Sequence, residues 1–277
     1  MTIPASATLC AHEGAVPFYS YPAFDALPFI RHGISTRLGG VSRGTWASMN
    51  LSFTRGDDEQ AVRENFRRFC GAVGVDPTHV VIPYQSHTTN LVNVTHEHWG
   101  DGVTREKTLL DVDGVLTDEP DVVLCTQYAD CNPLLFVDPK KRVIASSHAG
   151  WRGTADEMAR VTVERMHTDY GCEPRDILAG IGPSIGKCCF EVDEPVAEIF
   201  RGMKATDDAC ILPGENGKFF VDLWRVNRLV MLAAGLTEDH ITVTDICTRC
   251  HPMELWSYRY CGKERGSLAS VLCLMPE

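Results

Sequence analysis

The chain has 277 residues, of which 44% are hydrophobic and 23% charged, a composition typical of a globular protein rather than a disordered one. Its formal net charge of −11 argues against a general nucleic-acid or anionic-membrane binder, because both need a basic face, but it leaves room for a small anion in a local basic pocket. Residues 1–18 lack the basic start and the clear apolar core of a secretory signal, and no apolar stretch is long enough for a membrane span. We therefore expect a cytoplasmic protein in which the twelve cysteines are reduced thiols or metal ligands.

The first half of the chain predicts mostly strands. Four prolines within residues 1–30 indicate an irregular or edge-strand start, and residues 32–52 predict a short strand followed by a long loop. Residues 57–74 predict the first helix, capped by Asp57 or Asp58 and ended by Gly71 or Gly74. Short runs rich in Val, Leu and Ile then predict strands within residues 79–87, 90–95, 111–117, 121–130, 133–138 and 142–150.

Predicted helices and strands alternate irregularly in the second half of the chain. Residues 154–171 predict a helix that starts near Thr154 or Asp156 and ends before Gly171, and residues 176–186 predict a strand that runs into a Gly-Pro turn. Helices are expected within residues 192–203 and 220–235, and the last strands within 240–248 and 268–275. The pattern lacks the regular alternation of a doubly wound or barrel fold and shows no linker. We therefore predict a single mixed α/β domain over residues 1–277.

Three residues with metal-binding side chains lie beside the ends of predicted strands: His87, Cys131 and His148. Imidazole and thiolate are natural ligands for zinc, and three protein ligands leave a fourth position for a water whose pKa zinc lowers to about 7. The alternative is that each residue is buried and inert, which is common for a free cysteine. Spacings of 44 and 17 positions do not decide between the two.

Several polar residues are candidates for binding an anion or a ribose. Arg37 precedes a Gly-Gly pair, Asn50 follows in the same loop, and Arg152 lies between glycines. A guanidinium next to glycine backbone fits phosphate, although an ordinary loop is the alternative. Ser257 and Arg259 form a further polar pair near the C-terminus. No GxGxxG or P-loop pattern occurs, which disfavours a dinucleotide or ATP fold.

A second set of cysteines has no obvious partner in the sequence. Cys247 and Cys250 form a Cys-x-x-Cys pair that is typical of half a zinc knuckle or of a redox dithiol. No second Cys-x-x-Cys completes a four-cysteine site. His251 follows Cys250 and gives the haem-attachment pattern Cys-x-x-Cys-His, which we disfavour because such proteins are exported and we expect no signal peptide here. The neighbours Cys188 and Cys189 are predicted to be packing residues rather than a disulfide.

Nine segments occur in this order along the chain: HGISTRLGGVSRGTWASMNLS, GDDEQAVRENFRR, YQSH, DVDGVLT, YADCNPLLFVD, SHAGWRG, GIGPSIGKCCFEV, DLWRVNRLVMLAAG and SYRYCGKERG. Taken together they resemble the laccase-domain family, also called multicopper polyphenol oxidase-like or purine nucleoside phosphorylase-like. The resemblance runs from about Arg31 to the C-terminus, and residues 1–30 match less well.

The resemblance implies a single-domain, layered α-β-β-α fold and a zinc held by His87, Cys131 and His148. It also implies phosphorolysis of adenosine, inosine, guanosine or methylthioadenosine, and deamination of adenosine. The predicted catalytic residues are then Cys131, His148 and Asp130, with Asp130 as the acid that moves the proton. The predicted substrate-binding residues are Arg37, Asn50, Gln85 and Arg152.

The chain departs from the family pattern at three places, which bear on the substrate preference more than on the metal ligands. Gln-Ser-His-Thr replaces the usual Gln-Val-His-Gly around His87. Tyr128 replaces the usual threonine before Cys131, and the terminal Gly-Arg is inverted as Arg265-Gly266.

The function predicted is that of a zinc-dependent purine nucleoside enzyme, with a small-molecule substrate and phosphate as partners and neither nucleic acid nor membrane. One alternative makes Cys131 a nucleophile and His148 its base, as in a cysteine hydrolase or a peptidoglycan-precursor editing amidase. A copper polyphenol oxidase ranks lower, because the ten histidines contain one His-x-His pair, His96 and His98, too few for a multicopper site. A non-catalytic, metal-stabilised binding protein is the last alternative.

Overall fold

The computed structural model describes residues 2–276. Within them lie fifteen β-strands: β1 (Cys10–His12), β2 (Phe18–Ser20), β3 (Ile30–Ser35), β4 (Val80–Val81), β5 (Leu91–Asn93), β6 (Gly114–Thr117), β7 (Val123–Tyr128), β8 (Asn132–Asp138), β9 (Val143–Ala149), β10 (Leu178–Ile181), β11 (Glu191–Asp193), β12 (Ile211–Pro213), β13 (Lys218–Val221), β14 (Ile241–Val243) and β15 (Leu268–Leu274). The seven α-helices of the same range are α1 (Pro22–Asp25), α2 (Glu59–Val73), α3 (Trp151–Ala155), α4 (Met158–Tyr170), α5 (Glu194–Arg201), α6 (Leu223–Ala233) and α7 (Tyr258–Cys261).

The strands form two large mixed sheets and one small sheet. Sheet I has the order β1-β2-β3-β15-β7-β4, sheet II the order β14-β10-β8-β9-β6-β5, and sheet III the order β11-β13-β12. Most neighbours in the large sheets are antiparallel, but β4 and β7, β5 and β6, and β10 and β14 are parallel. In sheet II the antiparallel pairing of β8 with β9 places Pro133 opposite His148.

Three buried clusters separate four layers. One lies between α2 and sheet I and includes Phe66. The second lies between the two large sheets and includes Leu135 and Ile144, and the third lies between sheet II and helices α4 and α6 and includes Phe136 and Ala145. Neighbouring residues of β8 and β9 thus serve opposite faces, because side chains alternate along a strand. The predicted α-β-β-α fold is confirmed.

The helix ends follow local chemistry in most places. Asp58 caps the start of α2, where its side chain accepts a hydrogen bond from the Ala61 N–H, and Gly74, with a φ of 86°, caps the end. The helix predicted over residues 154–171 is in fact two, because α3 begins earlier, at Trp151, and the chain turns at Glu157 with a φ of 56° before α4. Gly171 ends α4, as predicted.

The strand predictions fail mainly in length and in sheet III. Residues 79–87 form only the two-residue strand β4 and then a loop. None of the three short strands of sheet III was predicted, whereas α5 lies within residues 192–203, where a helix was expected. Among residues 2–276, no helix combines the length and the apolar character needed to cross a bilayer.

Candidate metal centre

The three predicted ligands, His87, Cys131 and His148, come together at the junction of the two large sheets. His87 lies in the loop after β4 and has a φ of 67°, a backbone conformation that is uncommon for a residue with a side chain. Cys131 lies in the turn from β7 of sheet I to β8 of sheet II, and His148 lies near the end of β9. Their ligand atoms all lie within 4.8 Å of one another, and Cys131 Sγ is 3.9 Å from His87 Nε2. The side chains therefore fit a single metal ion.

A buried carboxylate, Asp113, holds two of these ligands in place. It lies just before β6, and its Oδ1 is 2.8 Å from His148 Nδ1. Its Oδ2 accepts hydrogen bonds from the N–H groups of Ser86 and Thr88, which flank His87, each at 2.9 Å. Burial alone raises the pKa of Asp113, but the hydrogen bond and charge of His148 and the two backbone N–H groups lower it to about 2. An ionised Asp113 thus directs the Nε2 side of His148 toward the cluster, as is usual for a metal-ligating histidine.

Cys131 and His148 also favour charged forms in each other's presence. Burial raises the pKa of Cys131, but the charge and hydrogen bond of His148 outweigh it and lower the pKa below the ordinary thiol value. Burial lowers the pKa of His148, yet the charges and hydrogen bonds of Cys131 and Asp113 raise it above its ordinary value. Thiolate is the form that binds metals and attacks electrophiles, so the pair supports either chemistry.

Asp130, the predicted catalytic acid, lies beside the cluster and anchors two loops. Its carboxylate is buried and accepts hydrogen bonds from the Thr248 hydroxyl and the Arg259 N–H, each at 2.6 Å. Its backbone oxygen accepts from the Ile185 N–H. Asp130 also lines a cavity together with Cys131, so it lies within reach of a bound molecule.

Two cavities meet at His87 and Cys131. The larger has a volume of about 630 Å³, and its wall is in large part apolar and aromatic, formed by Trp151, Ile185, Phe190, Val192, Val196, Leu223 and Tyr258. The smaller has a volume of about 320 Å³, and its wall is mostly polar, formed by Ser52, Thr54, Tyr84, Gln85, Lys107, Gln127, His148 and Ser267, among others. Arg55 and Arg265 line both cavities.

Arg55, Lys107 and Arg265 form a basic patch around the smaller cavity. Within residues 2–276, none of the three makes an ion pair with a carboxylate, and the buried Nε of Arg265 has no hydrogen-bond partner there. Burial and the charge of Arg55 together lower the pKa of Lys107 to about 8 and that of Arg265 to about 10. A cavity whose cations repel one another in this way suits an anion, despite the acidic charge of the whole chain.

Two of the predicted substrate-binding residues have their side chains engaged elsewhere. Arg37 donates hydrogen bonds to the backbone oxygens of Ala47 and Pro252, and its guanidinium lies 3.9 Å from the centre of a Trp ring. Asn50 is fully buried and donates to the carboxylate of Asp57. Neither residue lines either of the two cavities.

The other two predicted residues lie on the cavities. Gln85 lines the smaller one, where its amide pairs with the backbone N–H and oxygen of Gln127. Arg152 lines the larger one, where its guanidinium lies 4.3 Å from the centre of the Trp151 ring. Their roles in substrate binding stay predictions.

Sequence reasoning missed Asp113, Arg55 and Lys107, and it treated Arg265 only as an inverted motif. No local pattern distinguishes these residues from ordinary surface charges. Asp113 acts on a histidine 35 positions away, and the basic patch draws on three separate segments of the chain. Arg259, noted in the sequence as a polar residue near the C-terminus, does line the larger cavity.

The fold and the site together define a class of protein. It is a four-layer α/β protein with a candidate metal centre of two histidines and one cysteine, at the point where two cavities meet. The family model described as multi-copper polyphenol oxidoreductase laccase matches residues 31–275, and the chain belongs to that family. This confirms the resemblance seen in the sequence.

Individual relatives cover almost the whole chain. A protein of Bacteroides thetaiotaomicron named purine nucleoside phosphorylase is 37% identical over 92% of this chain and 95% of its own. A protein of an unknown prokaryotic organism named adenosine deaminase RL5 is 32% identical over 84% of this chain and 89% of its own. The crystal structure of YlmD from Geobacillus stearothermophilus is similar with a TM-score of 0.89 at 32% identity, covering 97% of this chain and 99% of that one.

Proposed function

We propose that the protein is a zinc-dependent enzyme that acts on purine nucleosides, by phosphorolysis of adenosine, inosine, guanosine or methylthioadenosine and by deamination of adenosine. The observation that carries the proposal is that the ligand cluster lies where an aromatic-walled cavity meets a cation-lined polar cavity. The names of the relatives, purine nucleoside phosphorylase and adenosine deaminase, support the same substrate class.

His87, Cys131 and His148 would hold the metal, because imidazole and thiolate are ligands that zinc prefers. Bound there, zinc would supply Lewis-acid chemistry and would lower the pKa of a coordinated water. Asp113 keeps His148 in the orientation in which its Nε2 faces the cluster, and it fixes the loop that carries His87.

The two cavities would divide the substrate between them. A purine in the larger cavity would pack against a wall that includes the aromatic side chains Phe190 and Tyr258. The guanidinium of Arg259 lies 5.5 Å from the centre of the Phe190 ring and that of Arg265 lies 5.4 Å from the centre of the Tyr258 ring, so one face of each ring is already covered. Arg55, Lys107 and Arg265 would hold phosphate in the smaller one.

In phosphorolysis a phosphate oxygen forms a bond to ribose C1′ while the bond to the purine nitrogen breaks, and the departing base takes up a proton. In deamination water adds at C6 and ammonia leaves. Asp130 is our candidate for moving the proton in both reactions.

The test is an assay of the zinc-loaded protein with adenosine, inosine and methylthioadenosine, with and without phosphate. Base release that requires phosphate indicates phosphorolysis, and ammonia release without phosphate indicates deamination. We expect Cys131→Ala to lose turnover and the zinc of the centre formed with His87 and His148, whereas the matched control Cys10→Ser, a half-buried cysteine in β1, keeps both. We expect Arg265→Gln to raise the KM for phosphate about tenfold or more, because a charge-assisted contact is lost, and to leave deamination nearly unchanged.

Two results would overturn the proposal. Turnover that survives in Cys131→Ala after the zinc is lost excludes the metal role, and a zinc-loaded protein that turns over none of these nucleosides excludes the substrate class.

One observation favours a second candidate, a cysteine hydrolase acting on an amide. Asp113 lies 2.8 Å from His148 Nδ1, and the His148 ring nitrogen that faces the cluster lies within 4.8 Å of Cys131 Sγ, which is the order orienting acid, base and nucleophile. Such an enzyme would keep its activity in a strong chelator, whereas the zinc enzyme would lose it. Activity toward an amide substrate that persists after chelation supports the hydrolase.

A further inference from the structure

A second group of cysteines lies outside the candidate metal centre. Cys188 and Cys189 are in the turn between β10 and β11, and Cys247 and Cys250 are in the segment between β14 and α7. The four Sγ atoms of this four-cysteine cluster all lie within 4.8 Å of one another. The Cys-x-x-Cys pair thus finds its partners in a segment about sixty residues away. Cys188 is exposed, so the prediction that it serves for packing is wrong.

The sulfur spacing fits four ligands around one ion. Cys250 Sγ is 3.6 Å from Cys188 Sγ and 3.5 Å from Cys189 Sγ. In a tetrahedral zinc site with Zn–S bonds of about 2.3 Å, neighbouring sulfurs are about 3.8 Å apart. A disulfide requires about 2.05 Å, and all four residues are free cysteines. The cluster is therefore close to the geometry of a closed four-thiolate site.

The surroundings compensate negative charge on the sulfurs. The Gly186 N–H donates a hydrogen bond to Cys247 Sγ at 3.2 Å, and the Arg249 guanidinium donates to Cys189 Sγ at 3.5 Å. Four thiolates around a divalent cation carry a net charge of −2, and N–H donors to the sulfurs stabilise such a site. Both donors lie next to the ligands in sequence, so they arrive with the same two segments.

We propose that the four-cysteine cluster binds one Zn²⁺ as a structural site, in addition to the centre formed by His87, Cys131 and His148. On binding, the four thiols release four protons and form four Zn–S bonds, with no change of oxidation state. With four protein ligands the ion has no position left for a substrate or water.

The site would fasten the wall of the larger cavity. The first segment carries Ile185, whose N–H donates to the Asp130 backbone, and the second carries Thr248, whose hydroxyl donates to the Asp130 carboxylate. The segments already meet directly, since the Thr248 N–H donates to the Ser184 oxygen. A metal that joins them fixes Asp130 beside Cys131 without touching the substrate.

The test is the zinc content of the full-length protein after reduction, loading with Zn²⁺ and removal of free metal. We expect Cys250→Ser to hold one zinc fewer per chain than the wild type, and Cys10→Ser to hold the wild-type amount. The difference from Cys250→Ser reports on the four-cysteine cluster, and the difference from Cys131→Ala reports separately on the proposed active site. A Cys250→Ser protein with the wild-type zinc content would overturn the inference.

A second measurement on the wild type avoids dependence on a variant that fails to fold. We expect Zn²⁺ to protect the exposed Cys188 and Cys250 from alkylation, and a chelator to make both reactive. Replacement of zinc by Co²⁺ should add thiolate-to-cobalt charge-transfer absorption that exceeds the contribution of one cysteine. Equal alkylation with and without zinc, or a disulfide within the cluster in the native protein, would contradict the proposal.

Discussion

Single buried polar residues position the candidate site. Asp113 satisfies two N–H groups of the His87 loop and the Nδ1 of His148 at once, so one carboxylate sets two ligands. Asp130 likewise joins two segments of the chain, because its carboxylate accepts hydrogen bonds from the Thr248 hydroxyl and the Arg259 N–H. Both are fully or nearly fully buried, which is costly for a carboxylate unless hydrogen bonds compensate it. Replacing either would therefore disturb geometry as well as charge.

His32 provides a pH test at this scale. It is buried in β3, and its Nε2 accepts a hydrogen bond from the Tyr21 N–H at 2.7 Å. Burial lowers its pKa to about 4, although the nearby Asp25 opposes the shift. An unfolded histidine titrates near pH 6.5, so between pH 6.5 and 4 the unfolded chain binds a proton that the folded one does not. Its contribution to stability is complete above about pH 6.5 and is lost as the pH falls toward 4.

We expect this histidine to cost about 2 kcal/mol of unfolding free energy between pH 7 and pH 5. Urea unfolding at both pH values measures the loss, and His32→Gln should show a smaller one, since glutamine can still accept the Tyr21 hydrogen bond but does not titrate. The same pH dependence in both proteins would show that His32 is not responsible.

Among the helices and strands, those that could be predicted from the sequence are the ones whose sequence signal is local. Helix α2 was predicted with two candidates for each end, and Asp58 and Gly74, one candidate of each pair, cap it because they act on their own helix. The break between α3 and α4 occurs at Glu157, a non-glycine residue in a left-handed conformation, and no local signal marks it. The short strands of sheet III pair only with each other and carry a mixture of exposed, half-buried and buried side chains, so they lack a clear periodic pattern.

The same distinction holds for the site. Imidazole and thiol side chains at strand ends could be selected by their chemistry, but their convergence depends on the pairing of β8 with β9 and on the passage from sheet I to sheet II. The basic patch and the four-cysteine cluster combine segments far apart in the chain, which no spacing rule connects.

The cap of α2 offers a test of a local signal. We expect Asp58→Ala to lower the unfolding free energy by about 1 kcal/mol, because the Ala61 N–H loses its acceptor. Asp58→Asn should lose clearly less, since asparagine caps about as well. Denaturant unfolding of the three proteins measures both changes, and equal losses in the two variants would show that charge rather than capping is involved.

At the scale of the whole molecule, the candidate centre joins the two large sheets. Cys131 lies on the crossing from β7 to β8, His148 lies on β9, and His87 follows β4 at the edge of sheet I. The core between the sheets lies beside this crossing and is buried with it. That residues 1–277 form one folding unit stays a prediction, and a metal across the two sheets gives a means of testing how they are held together.

A metal that binds only the folded chain stabilises it in proportion to the logarithm of its free concentration. At a free Zn²⁺ concentration about a thousand times the dissociation constant, the gain is about 4 kcal/mol. The measurement uses the Cys250→Ser background, so that the four-cysteine cluster does not contribute. We expect the midpoint of denaturant unfolding to rise with added Zn²⁺ and to fall with a chelator. In His87→Ala on the same background the zinc dependence should largely disappear, because two ligands remain where three were assembled. A zinc response that is the same in both proteins would mean that zinc binds elsewhere and that the two sheets are held together by the core alone.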